Sequence, residues 1–274
     1  MYFNFKHKKM KTIFITGAST GLGKATAKLF AANGWKVIAT MRKPENETEL
    51  NLIENITLLP LDVTNPGQIK ETTQKAIALG NIDVVFNNAG YGLIGPMETV
   101  TDKQLVRQID TNILGVIRVT QAFIPYFRER KSGLFISTTS IGGLITFPLT
   151  SVYHATKWAL EGWSESLAFE LNQFGIGVKT VSPGGIKTDF VHRSLDTTSH
   201  PAYDKLVEKL NAGWDENNFS SAELIAGVVY EAATDGKDNL RYLAGADAIA
   251  SYAQRLQVGD EAFRKGIDQL FFGN

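Results

Sequence analysis

The sequence contains no cysteine, which excludes disulfides, thiolate nucleophiles and thiolate-bound zinc. It has no net charge, with 28 Lys plus Arg against 28 Asp plus Glu. No global field therefore favours a polyanion, and nucleic-acid binding is not expected. No apolar run reaches 18 residues, so no membrane span is expected. The basic opening MYFNFKHKKMK lacks the apolar stretch and small-residue cleavage site of a secretory signal. It reads as a frayed tail over residues 1–10, with Met10 a second candidate for the start and the cytoplasm as the default location. No Pro/Gly/Ser-rich linker, internal repeat or low-complexity stretch divides the remainder, so residues 11–274 are expected to form one domain. The 274 residues, 43% of them hydrophobic, leave ample material for a core.

What is present is an alternation of short β-branched apolar runs with longer helical stretches. Strands are expected at 12–16, 36–41, 56–60, 83–87, 133–138 and 178–181, with a further one at 240–244. Helices are expected at 21–33, with Gly34 beyond the end, and at 66–79. A long one should be capped by Asp102 and run to about Arg130, and another should span 152–172 with Gly175 just after it. Strands apolar on both faces, separated by helices, point to a parallel sheet covered on each side, an α/β doubly wound, Rossmann-like fold. Residues 189–219 break the rhythm with polar and aromatic stretches, including Phe190, Tyr203, Trp214 and Phe219. They read either as a substrate lid or as a helical insertion that touches no ligand.

Thr16 to Gly23 reads TGASTGLG, between an expected strand and an expected helix. Gly17, Gly21 and Gly23 allow a tight turn and close approach of a ligand. The helix that follows directs unpaired N–H groups and the positive end of its dipole outward, which suits a pyrophosphate. Three other motifs nearly fit. A Walker A loop fails because Ala25 follows Gly23-Lys24 and Ala18 takes the leading glycine position. The G-x-G-x-x-G spacing is absent. Gly17 to Gly21 does match the G-x-S-x-G nucleophile elbow, which leaves a hydrolase using Ser19 with His154, His192 or His200 as an alternative.

Further motifs follow in order: NNAG at 87–90, DTNILG around Asn112, Ser140 after the fifth strand, Y-x-x-x-K at Tyr153 and Lys157, and PGGIKT from Pro183 to Thr188. Carbonyl reduction by hydride needs a proton donor at the developing oxyanion. Tyrosine, with a reference pKa of about 10, becomes useful only beside a cation. Positions i and i+4 bring the two side chains to one helix face, although a lone Y-x-x-x-K also occurs as an ordinary surface pair.

Taken together, these segments resemble the short-chain dehydrogenase/reductase family over roughly residues 11 to 190. The resemblance implies an oxidoreductase with Tyr153 as general acid/base, Lys157 lowering its pKa and binding the nicotinamide ribose, Ser140 bonding the substrate oxygen, and Asn112 holding a water for proton supply. It also implies that Gly17, Ser19, Thr20, Gly21, Leu22 and Gly23 line the diphosphate and adenosine side. Asp62 and Val63 would lie at the adenine, Asn88, Ala89 and Gly90 at the adenosine ribose, and Pro183, Gly184, Ile186 and Thr188 at the nicotinamide end. Asp62 also reads as a helix N-terminal carboxylate. At the end of the second strand Met41 stands where an NAD site usually has an acid, and Arg42 and Lys43 follow. A guanidinium suits a 2′-phosphate, so NADP is expected with NAD as second choice; both cations also read as solvated turn charges.

No metal is expected. The candidate substrate lining, Tyr91, Leu93, Ile141, Leu144, Phe147, Phe190 and Trp214, is apolar and points to a hydrophobic carbonyl or alcohol, though such residues are as often core as pocket. Family resemblance implies a homodimer or homotetramer. A dinucleotide-binding regulator without catalysis is the alternative of a different class.

Overall fold

The computed structural model describes residues 10–187, 195–213 and 218–273. Seven parallel strands form one sheet: β1 (Thr12–Ile15), β2 (Lys36–Met41), β3 (Ile56–Pro60), β4 (Val84–Asn87), β6 (Gly133–Thr138), β7 (Ile176–Pro183) and β11 (Arg241–Ala244), in spatial order β3-β2-β1-β4-β6-β7-β11. The chain winds outward one way from β1 and the other way from β4. The order therefore reverses between them, where the carboxyl ends of neighbouring strands leave a crevice in an open parallel sheet.

Alternation in β1 shows how the layers form. Ile13 and Ile15 face one side, where they join Phe30 of helix α1 (Gly21–Ala32) and Ile225 and Val229 of a later helix (Ala222–Thr234). Phe14 faces the other side, with Phe123 and Phe127 of α4 (Gly115–Arg130) and Leu167 of α5 (Ser151–Asn172). The Phe14 and Phe123 ring centroids lie 4.9 Å apart. Helix α2 (Pro66–Ala78) also covers this second face through Ile69 and Ala76.

Several expected boundaries shift. The sixth strand is longer than 178–181 because Ile176, at its start, is buried against the α5 layer and Pro183 still pairs with Ala244 of β11. Thr101, not Asp102, caps helix α3 (Asp102–Ile109): its side chain accepts the Gln104 N–H while Gln104 reaches back to the Thr101 N–H. The expected long helix is not uniform. A π-helical turn at Asp110–Leu114 joins α3 to α4.

Short elements escape the period rules. Strand β5 (Gly92–Ile94) pairs in parallel with β9 (Leu195–Thr197), and β8 (Ile186–Lys187) pairs with β10 (Ser220–Ser221). Within the expected lid, 195–213 holds β9 and helix α6 (Asp204–Ala212); Phe190, His192 and Trp214 lie outside the described residues. After α7, the helix at 222–234 introduced above, the chain ends in α8 (Ala246–Val258) and α9 (Asp260–Phe272).

Candidate active site

The parallel register brings the ends of β1, β4, β6 and β7 to one edge. At the end of β1, Gly17 has φ +67° and Gly21 φ +52°, conformations that L side chains rarely adopt. A Cβ at Gly17 would stand 2.8 Å from the Ala89 Cα, and one at Gly23 would stand 2.2 Å from the Gly17 carbonyl oxygen. Gly23 therefore serves close packing of helix on loop. Thr20, the N-cap of α1, makes no side-chain cap bond, and Ser19 is exposed. The N–H groups of this first turn thus lack the side-chain acceptor that α2, α3 and α7 obtain. That fits an anionic group such as a diphosphate. Leu22 is buried in the core.

Asn88 fixes the turn. Its main-chain N–H donates to Thr16 Oγ1 (2.9 Å), its amide donates to the carbonyls of Thr16 and Gly17 (3.1 Å each), and its Oδ1 accepts from Thr138 Oγ1 (3.3 Å). The Ala89 N–H shares the Thr16 hydroxyl. Gly90 lies against Asn112, where a Cβ would meet Oδ1 at 3.2 Å.

Ser140, Tyr153 and Lys157 converge where β6 ends and α5 begins. Ser140 is buried, its hydroxyl accepting the Gly142 N–H at 3.0 Å. Burial pushes the Tyr153 phenol above its usual range, and a hydrogen bond with the Ser140 hydroxyl pulls it back in part. The buried Lys157 ammonium lies 5.7 Å from the Tyr153 ring centroid and donates to the Thr138 carbonyl at 2.9 Å. Burial brings it down to about 8, opposed by the charge of Glu161. A phenol, a hydroxyl and a desolvated cation in this arrangement can pass a proton to or from an oxygen.

Asn112 sits buried in the π turn. Its Oδ1 accepts the Tyr91 N–H (3.1 Å), and its Nδ2 donates to the Tyr91 carbonyl (2.9 Å) and to Thr156 Oγ1 (3.3 Å). The side chain thus binds the strand edge to α5.

At the end of β2, Met41 is buried core, and Arg42 and Lys43 are exposed. Asp62 Oδ1 accepts from the Thr64 N–H (2.9 Å) and hydroxyl (2.7 Å). Asn65, not Asp62, caps α2. Val63 is buried against Gly115. Beyond β7, Pro183 ends the strand, and Asp247 of α8 accepts the Gly185 N–H at 2.7 Å, so close that a Cβ at Gly184 would collide with it. Ile186 packs on the core; Thr188 lies outside the described residues.

Of the expected substrate lining, Leu93 and Leu144 are buried and Ile141 and Phe147 half-buried. Tyr91 is buried beneath Arg107, whose guanidinium carbon lies 4.7 Å from the ring centroid. Leu149, unnoticed in the sequence, has φ +62° and accepts the Gly95 N–H at 2.7 Å, joining the loop before α5 to the segment after β5. No residue-type signal marks such a position. His154 is spent on structure: its Nδ1 faces the Gly142 carbonyl at 2.6 Å, and its Nε2 accepts the Phe147 N–H at 3.0 Å. It thus offers no free nitrogen to Ser19, which removes one of the three candidate bases of the hydrolase alternative. No cluster able to hold a metal occurs among the described residues.

A family model described as short chain dehydrogenase matches residues 11–199. An uncharacterized oxidoreductase of Schizosaccharomyces pombe is 37% identical, covering 81% of this chain and 96% of the relative. A short-chain dehydrogenase from Streptomyces avermitilis superposes with a TM-score of 0.85 at 31% identity, covering 96% of each chain. ElxO with NADP bound superposes with a TM-score of 0.74 at 25% identity, covering 89% of this chain and 99% of the other.

Proposed function

The chain belongs to the short-chain dehydrogenase family of oxidoreductases, which act on CH–OH or C=O groups with a nicotinamide dinucleotide, and from that premise we propose that it transfers hydride between NADP(H) and an apolar ketone, aldehyde or secondary alcohol. The convergence of Ser140, Tyr153 and Lys157 at one sheet edge carries this reading. A bound dinucleotide supplies or accepts the hydride.

In reduction Tyr153 gives its proton to the substrate oxygen; in oxidation it takes one. Ser140 donates to the same oxygen and so lowers the cost of its developing charge. Lys157 favours the tyrosinate by its charge, and its remaining N–H groups would hold ribose hydroxyls. The Asn112 side chain is committed to Tyr91 and Thr156, so the water for proton supply is assigned to its main-chain carbonyl, which the π turn takes out of α-helical register.

The diphosphate would lie on Gly17, Ser19, Thr20, Gly21, Leu22 and Gly23, with the adenine at Asp62 and Val63. The riboses and nicotinamide would follow along Asn88, Ala89, Gly90, Pro183, Gly184, Ile186 and Thr188. Arg42, with Lys43 second, would bind a 2′-phosphate; their exposure just beyond the carboxyl end of β2 and the NADP-bound ElxO neighbour support this. The half-buried Ile141, Phe147 and Leu149 support an apolar substrate. Trp158 and Phe169, exposed on α5, support a homo-oligomer. None of the described helices is long and apolar enough to cross a membrane; the cytoplasm remains our reading of location.

The test is a panel of carbonyl compounds assayed with NADPH and NADH side by side. NADPH consumption should fall about 10²–10⁴-fold in Tyr153→Phe, and Arg42→Ala should raise KM for NADPH while sparing NADH. Equal use of both cofactors, unchanged by Arg42→Ala, would remove the NADP assignment. Tight NADPH binding without turnover of any compound would mark a regulator instead.

A further inference from the structure

Glu161 is a carboxylate buried in the middle of α5 that the proton-transfer scheme above does not use. Burial of a charge is costly unless it is fully bonded, and here it is. Oε1 accepts from Ser182 Oγ at 2.9 Å, and Oε2 accepts from Arg241 Nε at 2.9 Å and from Thr180 Oγ1 at 3.4 Å. Ser182 Oγ lies 2.8 Å from Thr139 Oγ1, next in sequence to the Thr138 carbonyl that holds Lys157. Lys157 and Glu161 are i and i+4 on one helix face. Gly143, in the loop after Ser140, touches both: a Cβ there would lie 2.8 Å from the Lys157 carbonyl oxygen and 3.2 Å from Glu161 Cγ. The two side chains make no ion pair, because the carboxylate oxygens are engaged by β7 and β11.

We infer that Glu161 is a positioning residue for the reaction: its buried carboxylate, one helical turn from Lys157, sets a negative charge beside the ammonium without occupying its N–H groups, and Arg241 sets how much of that charge Lys157 feels. The inference rests on the role assigned to Lys157 above. Among the described residues, the groups that face Lys157 are Tyr153 and Glu161 on α5 and the Thr138 carbonyl of β6. Beyond them lie Thr180 and Ser182 of β7 and then Arg241 of β11. Lys179, the charged residue of β7, is instead bound to Asp235 and Tyr242. Burial alone drives Lys157 downward, and the Glu161 charge is what opposes it, leaving the ammonium near 8. At that value a change in the neighbouring field alters the charged fraction in the range where the enzyme would work.

The experiment follows the Lys157 Cε resonance by NMR against pH in ¹³C-lysine-labelled full-length protein, assigned with Lys157→Arg. In Glu161→Gln the midpoint should fall by about one pH unit, a tenfold change in the ratio of charged to neutral lysine. In Arg241→Gln, which leaves the carboxylate less neutralised, it should rise. The basic limb of the carbonyl-reduction profile should move with it in each variant, a shift that a purely structural loss would not produce. Midpoints unchanged in both variants would overturn the inference. Should Glu161→Gln fail to fold, an unchanged midpoint in Arg241→Gln would do the same. The NMR readout needs no turnover, so an inactive protein with shifting midpoints would count against the proposed reaction and not against this coupling.

Discussion

Asn88 joins three segments that are far apart in the chain, and its four hydrogen bonds give it a structural role beside the ribose contact proposed for it. Replacing it with alanine leaves the Thr16 and Gly17 carbonyls without the amide donor and Thr138 without its acceptor. Unsatisfied buried groups cost about 1–3 kcal/mol, so Asn88→Ala should lower the unfolding free energy by that amount, read as a lower urea midpoint with an unchanged slope of the unfolding transition. A midpoint equal to wild type would show that water replaces the amide at no cost. His154 works in the same way at this scale. Burial holds it below its usual pKa and the Gly142 carbonyl works against that, but its two ring nitrogens are both engaged, so it orders the loop between Ser140 and α5 and does not act as a base.

At the scale of elements, the decisive unit is the turn between β1 and α1. Gly17 and Gly21 supply backbone angles, and Gly23 supplies space. In Gly23→Ala the new Cβ meets main chain at 2.2 Å, which no side-chain rotation relieves. The turn must move, and dinucleotide affinity, read by fluorescence titration of NADPH, should fall at least about tenfold, equivalent to roughly 1.4 kcal/mol. Unchanged affinity would show that the first turn of α1 is not what holds the phosphates. The segment after Arg42 and Lys43 is tied to α1 as well: Lys24 Nζ lies 3.1 Å from Glu47 and 2.9 Å from Glu49. Burial raises the pKa of Glu47, but the N–H groups of Leu50 and Glu49 and the Lys24 ammonium outweigh it and keep the carboxyl below its ordinary value. This clamp connects the helix that would face the diphosphate to the turn that would face the 2′-phosphate.

At the scale of the whole molecule, the outer strand β11 is held by a polar cluster in addition to its ladder. Lys179 donates to the Ala232 carbonyl (2.8 Å), Asp235 (2.9 Å) and the Tyr242 hydroxyl (3.0 Å), and Tyr242 donates to the other Asp235 oxygen (2.7 Å). Burial raises the Asp235 carboxyl, but the bonds from Lys179, Tyr242 and the Lys237 N–H outweigh it and hold the pKa at about 2. A carboxylate depressed in the folded state stabilises it above the unfolded pKa of about 4, and that contribution is lost as pH falls towards 2. Thermal midpoints should therefore drop between pH 4 and pH 2. Asp235→Asn should lower the midpoint at pH 7 and flatten its dependence over that acid range; an equally steep acid dependence in the variant would assign it to other carboxylates.

The parallel α/β alternation, the glycine turn and the Tyr153–Lys157 spacing are legible in the order of amino acids, because each is written in contiguous residues. Apolar runs, glycines at fixed offsets and an i, i+4 pair need no distant partner to be read. The first-strand alternation of Ile13, Phe14 and Ile15 likewise prescribed a core on both faces. Which polar groups are spent and which are free is settled by contacts between distant parts of the chain. Asn112 and His154 have residue types suited to chemistry, yet their side chains are consumed by neighbours brought in by folding. Asp247 and Arg241 reach the site across 62 and 80 positions of sequence. Short strands such as β5 and β9 are too brief to show a period, and the π turn at 110–114 carries Asn112 to bonds with Tyr91, 21 positions away, which no local pattern encodes. Pairing across the chain costs loop closure and is settled by complementarity in space, so it leaves no repeat in the order of residues.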